Sequence, residues 1–220
     1  MINRYSRQIM RDVWSDQSKY AIWFEIEMLA HEAMESIGLI ENGLTKKIRD
    51  KLKSIIFDEA RISEIENKTH HDVIAFLTFI SEKIGEKQAR YLHQGMTSSD
   101  ILDTCLCIQL KKSSQLIRED LNELLKELLK KAEEYKYLPT IGRSHGIHAE
   151  PTTVGLKFAQ AYAEFDRALK RMEIAEKEIS ICALSGSVGT FANIDPRIEK
   201  YVAKKLNLNI ETISTQIIPR

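Results

Sequence analysis

The sequence predicts an all-α protein: a small N-terminal helical domain over residues 1–96, followed by the first part of a long-helix bundle over residues 97–220. Three observations predict it. Only four prolines and nine glycines interrupt 220 residues. Apolar residues recur every three or four positions along most of the chain, the repeat of one helix face. No run alternates apolar and polar residues over a convincing strand length. Residues 207–220 have strand-like content but stand alone.

The elements follow in order. Ile22, Ile26, Leu29, Ala33 and Ile37 mark one face of a first helix, and Gly38 suits the left-handed position that ends it. A shorter helix is predicted over residues 44–55. Another runs from Thr69 to Ile84, with Val73, Phe76, Leu77 and Ile80 inward and Gly85 as its stop. The longest begins at Thr97-Ser98-Ser99-Asp100, a set of good capping residues, and reaches Tyr135. Its stripe (Leu106, Leu110, Ile117, Leu121, Leu124, Leu128) implies a rod of roughly 60 Å. A second long helix follows Pro151, from Thr152 to Cys182, with proline in its first turn. Ser185–Thr190 reads as a flexible polar loop. Asp195-Pro196 opens a last helix ending near Leu206. Helices are short before residues 94–100 and long after, which sets the domain boundary. Two long helices and a short one cannot close a bundle, so an apolar stripe should stay open unless partner chains or further sequence cover it.

Composition excludes several classes. Thirty-two basic residues balance thirty-two acidic ones, so no global field draws the chain to nucleic acid. The opening Met-Ile-Asn-Arg-Tyr-Ser-Arg lacks the apolar core of a secretory signal. No apolar run is long enough to span a membrane. Cys105, Cys107 and Cys182 cannot all pair with one another, which fits free thiols in a reducing cytoplasm.

Three polar clusters stand out. Thr69-His70-His71-Asp72 opens a helix, where caps are ordinary, but where free amides beside an imidazole also hold an anion. His93-Gln94-Gly95-Met96-Thr97-Ser98-Ser99-Asp100 reads as a capping box or as hydroxyls and amides around a carboxylate. The densest is Gly142-Arg143-Ser144-His145-Gly146-Ile147-His148-Ala149-Glu150-Pro151-Thr152-Thr153, read as a loop between two long helices. His145, His148 and Glu150 have too loose a spacing for a metal site, and no metal is expected. Imidazole moves its proton near neutral pH, so acid–base chemistry at His145 is the stronger reading.

These clusters, with Arg4-Tyr5-Ser6, Ser185-Gly186-Ser187-Val188-Gly189-Thr190 and Ser214-Thr215-Gln216, resemble the adenylosuccinate lyases of the fumarase and aspartase superfamily. The Gly-Arg-Ser-His core is shared widely in that superfamily. The Gly-His-Ala-Glu-Pro-Thr-Thr type of continuation is closer to adenylosuccinate lyase than to fumarase or argininosuccinate lyase. The resemblance covers essentially the whole chain but only about half of the family's length.

The resemblance implies a fumarase/aspartase-like bundle, a homotetramer, no cofactor and a cytoplasmic enzyme of purine and AMP biosynthesis. The implied reaction is β-elimination of fumarate from adenylosuccinate, giving AMP, and from succinyl-aminoimidazole carboxamide ribotide. It implies that His145 is the general acid toward the leaving nitrogen and that His71 lies beside it to orient the substrate. Arg4 and Tyr5 would bind the nucleotide phosphate. His70 and Asp72 would contact the substrate, Thr97 and Ser98 would hold a succinyl carboxylate, and Gln216 would bind from the far end. His93 and His148 are weaker candidates. The family's loop of the form Ser-Ser-x-Met-Pro-x-Lys-x-Asn-Pro, with its basic serine and its lysine, is absent from these residues. The expectation is therefore a truncated chain with little elimination of its own. The alternatives are a non-catalytic helical module that binds nucleotide or a partner, and another superfamily lyase such as argininosuccinate lyase, against which Arg4-Tyr5 and Glu150-Pro151-Thr152-Thr153 argue.

Overall fold

A computed structural model describes residues 2–219. A short 3-10 turn at Asn3–Tyr5 precedes α1 (Gln8–Val13), α2 (Asp16–Ser36), α3 (Leu44–Lys51), α4 (Glu59–Thr69), α5 (Asp72–Ile84), α6 (Glu86–Ala89) and the long α7 (Ser98–Glu134). Then come β1 (Pro139–Ser144), β2 (Ile147–Thr153), α8 (Val154–Ile179), β3 (Ile181–Cys182), α9 (Pro196–Leu206) and β4 (Asn209–Ile210). Helices dominate, as the apolar periodicity predicts. The chain groups into two compact units, residues 1–110 with 179–220, and residues 111–178. Residues 179–220 group with the first helices in one of these units.

In the first unit the predicted apolar face of α2 is buried: Ile26 is fully covered, and Ile22, Leu29 and Ala33 nearly so. Ser15 caps this helix by accepting from the Ser18 amide, and Gly38, at φ +75°, follows its end. Phe76 of α5 forms the aromatic centre of the core. Its ring stacks on Tyr20 at 5.7 Å and meets Trp23 edge-on at 5.4 Å. Helix α9 packs on α2. Asp195 caps α9 by accepting from the Arg197 amide, with Pro196 in the first turn as predicted.

Several elements differ from expectation. The helix predicted from Thr69 is two: α4 ends at Thr69, and α5 begins at Asp72. Helix α4 has its own cap, the Asp58 side chain accepting from the Arg61 amide. Helix α3 stops at Lys51 rather than residue 55. Ser185–Thr190 is not a loose polar loop at its start. Ser185 is 2% exposed, because distant side chains satisfy its backbone. The strand-like tail does not stand alone either. Asn209–Ile210 pairs in parallel with Ile181–Cys182.

The second unit contains α8 and most of α7, joined by β1 and β2. Gly155 lets the two helices meet, since a Cβ there would lie 2.5 Å from the Ala132 carbonyl oxygen. Arg118 of α7 donates to Glu176 at 2.9 Å and to Glu173 at 3.3 Å, both on α8. Leu124, Leu129, Leu156 and Ile174 are exposed along these helices, the open apolar stripe that the sequence implied. None of the three cysteines forms a disulfide, and all are buried. No helix among the described residues is long and apolar enough to cross a membrane.

Candidate functional site

The junction of α4 and α5 presents the paired histidines. His70 closes α4 in the left-handed region, at φ 52° and ψ 35°, with its amide donating to the Glu66 carbonyl. His71 is extended and caps α5, its Nδ1 lying 3.4 Å from the Ile74 amide. Its Nε2 lies 3.3 Å from Ser98 Oγ at the start of α7. One neutral tautomer satisfies both contacts: Nδ1 accepts from Ile74, and Nε2–H donates to the hydroxyl. Asp72 Oδ1 accepts from the Val73 amide at 2.7 Å and stands 3.4 Å from His71 Nδ1. Residues twenty-seven positions apart, from two of the predicted motifs, are thus in contact.

The second motif is fixed from behind by Asp100. This carboxylate, 3% exposed, accepts from the Thr97 amide at 2.9 Å and from the Ser185 and Gly186 amides at 3.1 Å each. Burial pushes the Asp100 carboxyl up, and these three amides oppose that shift. The pattern extends along the buried strap. The Ala183 amide donates to Thr104 and the Leu184 amide to Glu199, so consecutive amides from Ala183 to Gly186 each reach a side chain. Buried backbone groups need such partners. Ser185 Oγ and Ser214 Oγ lie 2.7 Å apart. A Cβ at Gly189 would lie 2.5 Å from the Ser214 carbonyl oxygen, which is why glycine stands there. The motifs at 97–100, 185–189 and 214–216 are therefore stitched together. The start of α7 thus lies beside His71, with the Thr97 amide held by Asp100.

The densest motif is a β-hairpin and not a loop. Strands β1 and β2 pair antiparallel from Pro139↔Thr153 to Ser144↔Ile147, with an irregularity between Ile141 and Arg143. Gly142 permits that close approach, since a Cβ would lie 2.7 Å from the Glu150 carbonyl oxygen. The two-residue turn is His145-Gly146, with φ 53° and 74°. Positive φ at both central residues is the turn whose twist matches paired strands. His145 therefore projects from an exposed tip in the less populated left-handed region, a conformation associated with functional sites. His148 pairs across the ladder with Arg143. Among the described residues, no group of three or more His, Cys, Asp or Glu gathers as metal ligands.

The remaining candidates are exposed. The Arg4 guanidinium carbon lies 4.7 Å from the centre of the Tyr5 ring, and Tyr5 is 73% exposed. Arg11 braces this turn by donating to the Asn3 and Ser6 carbonyls. Gln216 is exposed beside the 214–215 segment. Arg4, Tyr5, His70, His71, Asp72, Thr97, Ser98 and Gln216 belong to the first unit, and His145 to the second. Sequence reasoning missed Glu27 and His31 of α2, which bind the segment leading into Thr97. Both lie beside the apolar stripe, and their burial (1% and 0% exposed) is what marks them.

Comparison with known proteins agrees with these motifs. A family model described as Lyase matches residues 3–219. The adenylosuccinate lyases of Staphylococcus saprophyticus and Streptococcus mutans are each 46% identical over 220 residues, which is all of this chain. The chain spans about half the length of the curated relatives it matches, 50% of each. Among solved structures, a fumarate lyase from Mesorhizobium sp. BNC1 is 27% identical with a TM-score of 0.87, over 96% of this chain and 51% of that one. A 3-carboxy-cis,cis-muconate lactonizing enzyme from Pseudomonas putida has a TM-score of 0.88 at 24% identity, over 96% of this chain and 49% of that one; at that distance it bears on the fold alone. With the family model matched over residues 3–219, nearly end to end, the chain belongs to the lyase family.

Proposed function

We propose that this chain supplies the acid and the anion-binding groups of an adenylosuccinate lyase, which eliminates fumarate from adenylosuccinate and from succinyl-aminoimidazole carboxamide ribotide. The observation that carries the reading is 46% identity to adenylosuccinate lyases along the entire chain.

The chemistry needs two proton transfers about a carbon–nitrogen bond. A base takes the proton from the carbon next to a carboxylate, charge builds on that carboxylate, and an acid protonates the departing nitrogen. Thr97, Ser98 and the first amides of α7 hold a succinyl carboxylate, where charge develops. His71, fixed by its contacts to Ile74 and Ser98, orients the substrate together with His70 and Asp72. Arg4 and Tyr5 take the nucleotide phosphate, and Gln216 contributes a further polar contact. His145 donates its proton to the leaving nitrogen. An exposed imidazole on a narrow turn suits that role, because it reaches a substrate without disturbing a core. The base is the serine of the loop that the family resemblance implies, outside residues 1–220. The working enzyme is a cytoplasmic homotetramer of AMP biosynthesis. The exposed apolar residues of α7 and α8 support subunit packing, and the change from short to long helices supports a domain boundary at 96/97.

A chimera tests the reading. This chain replaces the aligned half of the Staphylococcus saprophyticus enzyme, and fumarate release is followed spectroscopically. Turnover of adenylosuccinate is expected. A folded chimera that turns over argininosuccinate instead, or neither substrate, contradicts it.

A further inference from the structure

Helix α2 carries Glu27 and His31 one turn apart, and both reach the segment that leads into Thr97. Glu27 Oε2 accepts from the His93 amide at 2.9 Å, and Oε1 accepts from His93 Nδ1 at 2.8 Å. A single carboxylate therefore holds the backbone and the ring of the same residue. His31 Nε2 meets the Tyr91 carbonyl oxygen at 2.9 Å. A carbonyl only accepts, so the His31 proton is on Nε2. Burial lowers the His31 pKa, which keeps the ring neutral.

The path from His93 onward is short and closed. His93 sits in the left-handed region at φ 62°, a conformation that surrounding contacts must enforce on a residue with a side chain. The Met96 amide donates back to the His93 carbonyl at 3.2 Å. A Cβ at Gly95 would lie 2.1 Å from the Asn193 carbonyl oxygen, so the turn is wedged there. Thr97 is then tied to Asp100. A displacement at His93 has no slack in which to dissipate before Ser98.

Stability alone does not account for a carboxylate at position 27. Its side chain is 1% exposed. Well-packed apolar groups often match or exceed a buried ionic contact in stability. What the carboxylate adds is geometry: two donors are fixed at once, and the His93 ring is held to one tautomer.

We propose that Glu27 is a positioning residue for the Thr97–Ser98 turn, acting through His93. The contact holds a proton on His93 Nδ1 and sets where the Ser98 hydroxyl stands. The catalytic consequence rests on the assignment of Thr97 and Ser98 above; the structural link does not.

Nitrogen-15 NMR of the 220-residue chain tests the link without any assay of activity. In its neutral form the His93 ring is expected to carry its proton on Nδ1, facing the Glu27 carboxylate. In Glu27→Gln one of the two oxygens that meet His93 becomes an NH2 donor, so the two contacts cannot both persist in their present geometry. The expected result is loss of the fixed Nδ1–H signature, with shifts of the Thr97 and Ser98 amide resonances. A wild-type ring without a proton on Nδ1, or unmoved Thr97 and Ser98 amides in the variant, overturns the proposal. If the variant does not fold, the wild-type tautomer still decides. In the active chimera, Glu27→Gln should raise KM for adenylosuccinate about tenfold with a smaller change in kcat, the mark of lost substrate binding. An unchanged KM in that chimera also overturns it. A chimera that is inactive with the wild-type chain counts against the proposed function and leaves the NMR result to judge Glu27.

Discussion

The two compact units hold their candidate residues by different means. In the first, the segments at 97–100 and 183–186 are bound by buried side chains: Asp100 takes three amides, Glu199 one and Thr104 one. In the second, the His145 hairpin is held by its own strand ladder, and its tip is exposed. The cores differ in the same sense. The first unit has a large apolar core around Phe76, whereas among the described residues 111–178 Leu125 is the buried large apolar side chain, at 8% exposure. The lesson is a separation of effects. Substitutions near the site of the first unit should disturb folding and geometry together, while replacing an exposed side chain at the hairpin tip should leave a core untouched.

The largest expected effect sharpens this contrast. Phe76→Ala, at a fully buried position ringed by Tyr20, Trp23 and Phe57, should cost about 3–5 kcal/mol in denaturant unfolding. Leu125→Ala should cost about 2 kcal/mol, the low end for a core leucine. Equal losses would erase the distinction between the cores.

A pair of glycines probes the turns. Gly95 and Gly146 have nearly the same φ, +76° and +74°, but a Cβ would strike the Asn193 carbonyl oxygen at the first and meet nothing within 4 Å at the second. Gly95→Ala should cost about 3 kcal/mol, from left-handed strain and overpacking together. Gly146→Ala should cost about 1 kcal/mol, from the strain alone. Thermal unfolding of the two variants measures the difference, and a similar cost for both would break the comparison.

The smallest effect is electrostatic. Burial pushes the Glu35 carboxyl up, but hydrogen bonds from the Thr45 amide, the Thr45 hydroxyl and the Gly43 amide outweigh it and leave the pKa lowered. A carboxylate with a depressed folded pKa stabilises above its unfolded value of 4.5, and that contribution fades as pH falls through the folded value. Glu35→Gln should therefore cost about 1 kcal/mol at pH 7, and progressively less in acid. A stability gap that stays constant down to pH 2 would contradict this.

The helices were legible because their apolar stripes repeat locally. The faces of α2, α5 and α7 could be read from residues three and four apart, Gly38 marked the end of α2, and Asp195-Pro196 marked the start of α9. Three features were not legible. The hairpin was hidden because histidine occupies the first turn position, where asparagine or aspartate would signal the turn, and because both strands are largely exposed and lack an apolar face. The strap at 183–186 looked like a polar loop, because the side chains that satisfy it lie 15 to 86 positions away in sequence. Helix α4 was missed because its inward Ile62 and Ile65 are too few to declare a stripe, although Asp58 stood as its cap. The site motifs were read as clusters. The contact between His71 and Ser98 needed the fold.

The central claim is that a proton passes from His145 to the leaving nitrogen. Steady-state fumarate release from adenylosuccinate by the chimera, with and without His145→Ala, tests it most directly. The account predicts a fall in kcat of about 10²–10⁴, with thermal stability unchanged because the side chain stands exposed at a turn. Undiminished turnover by a folded His145→Ala chimera would contradict it.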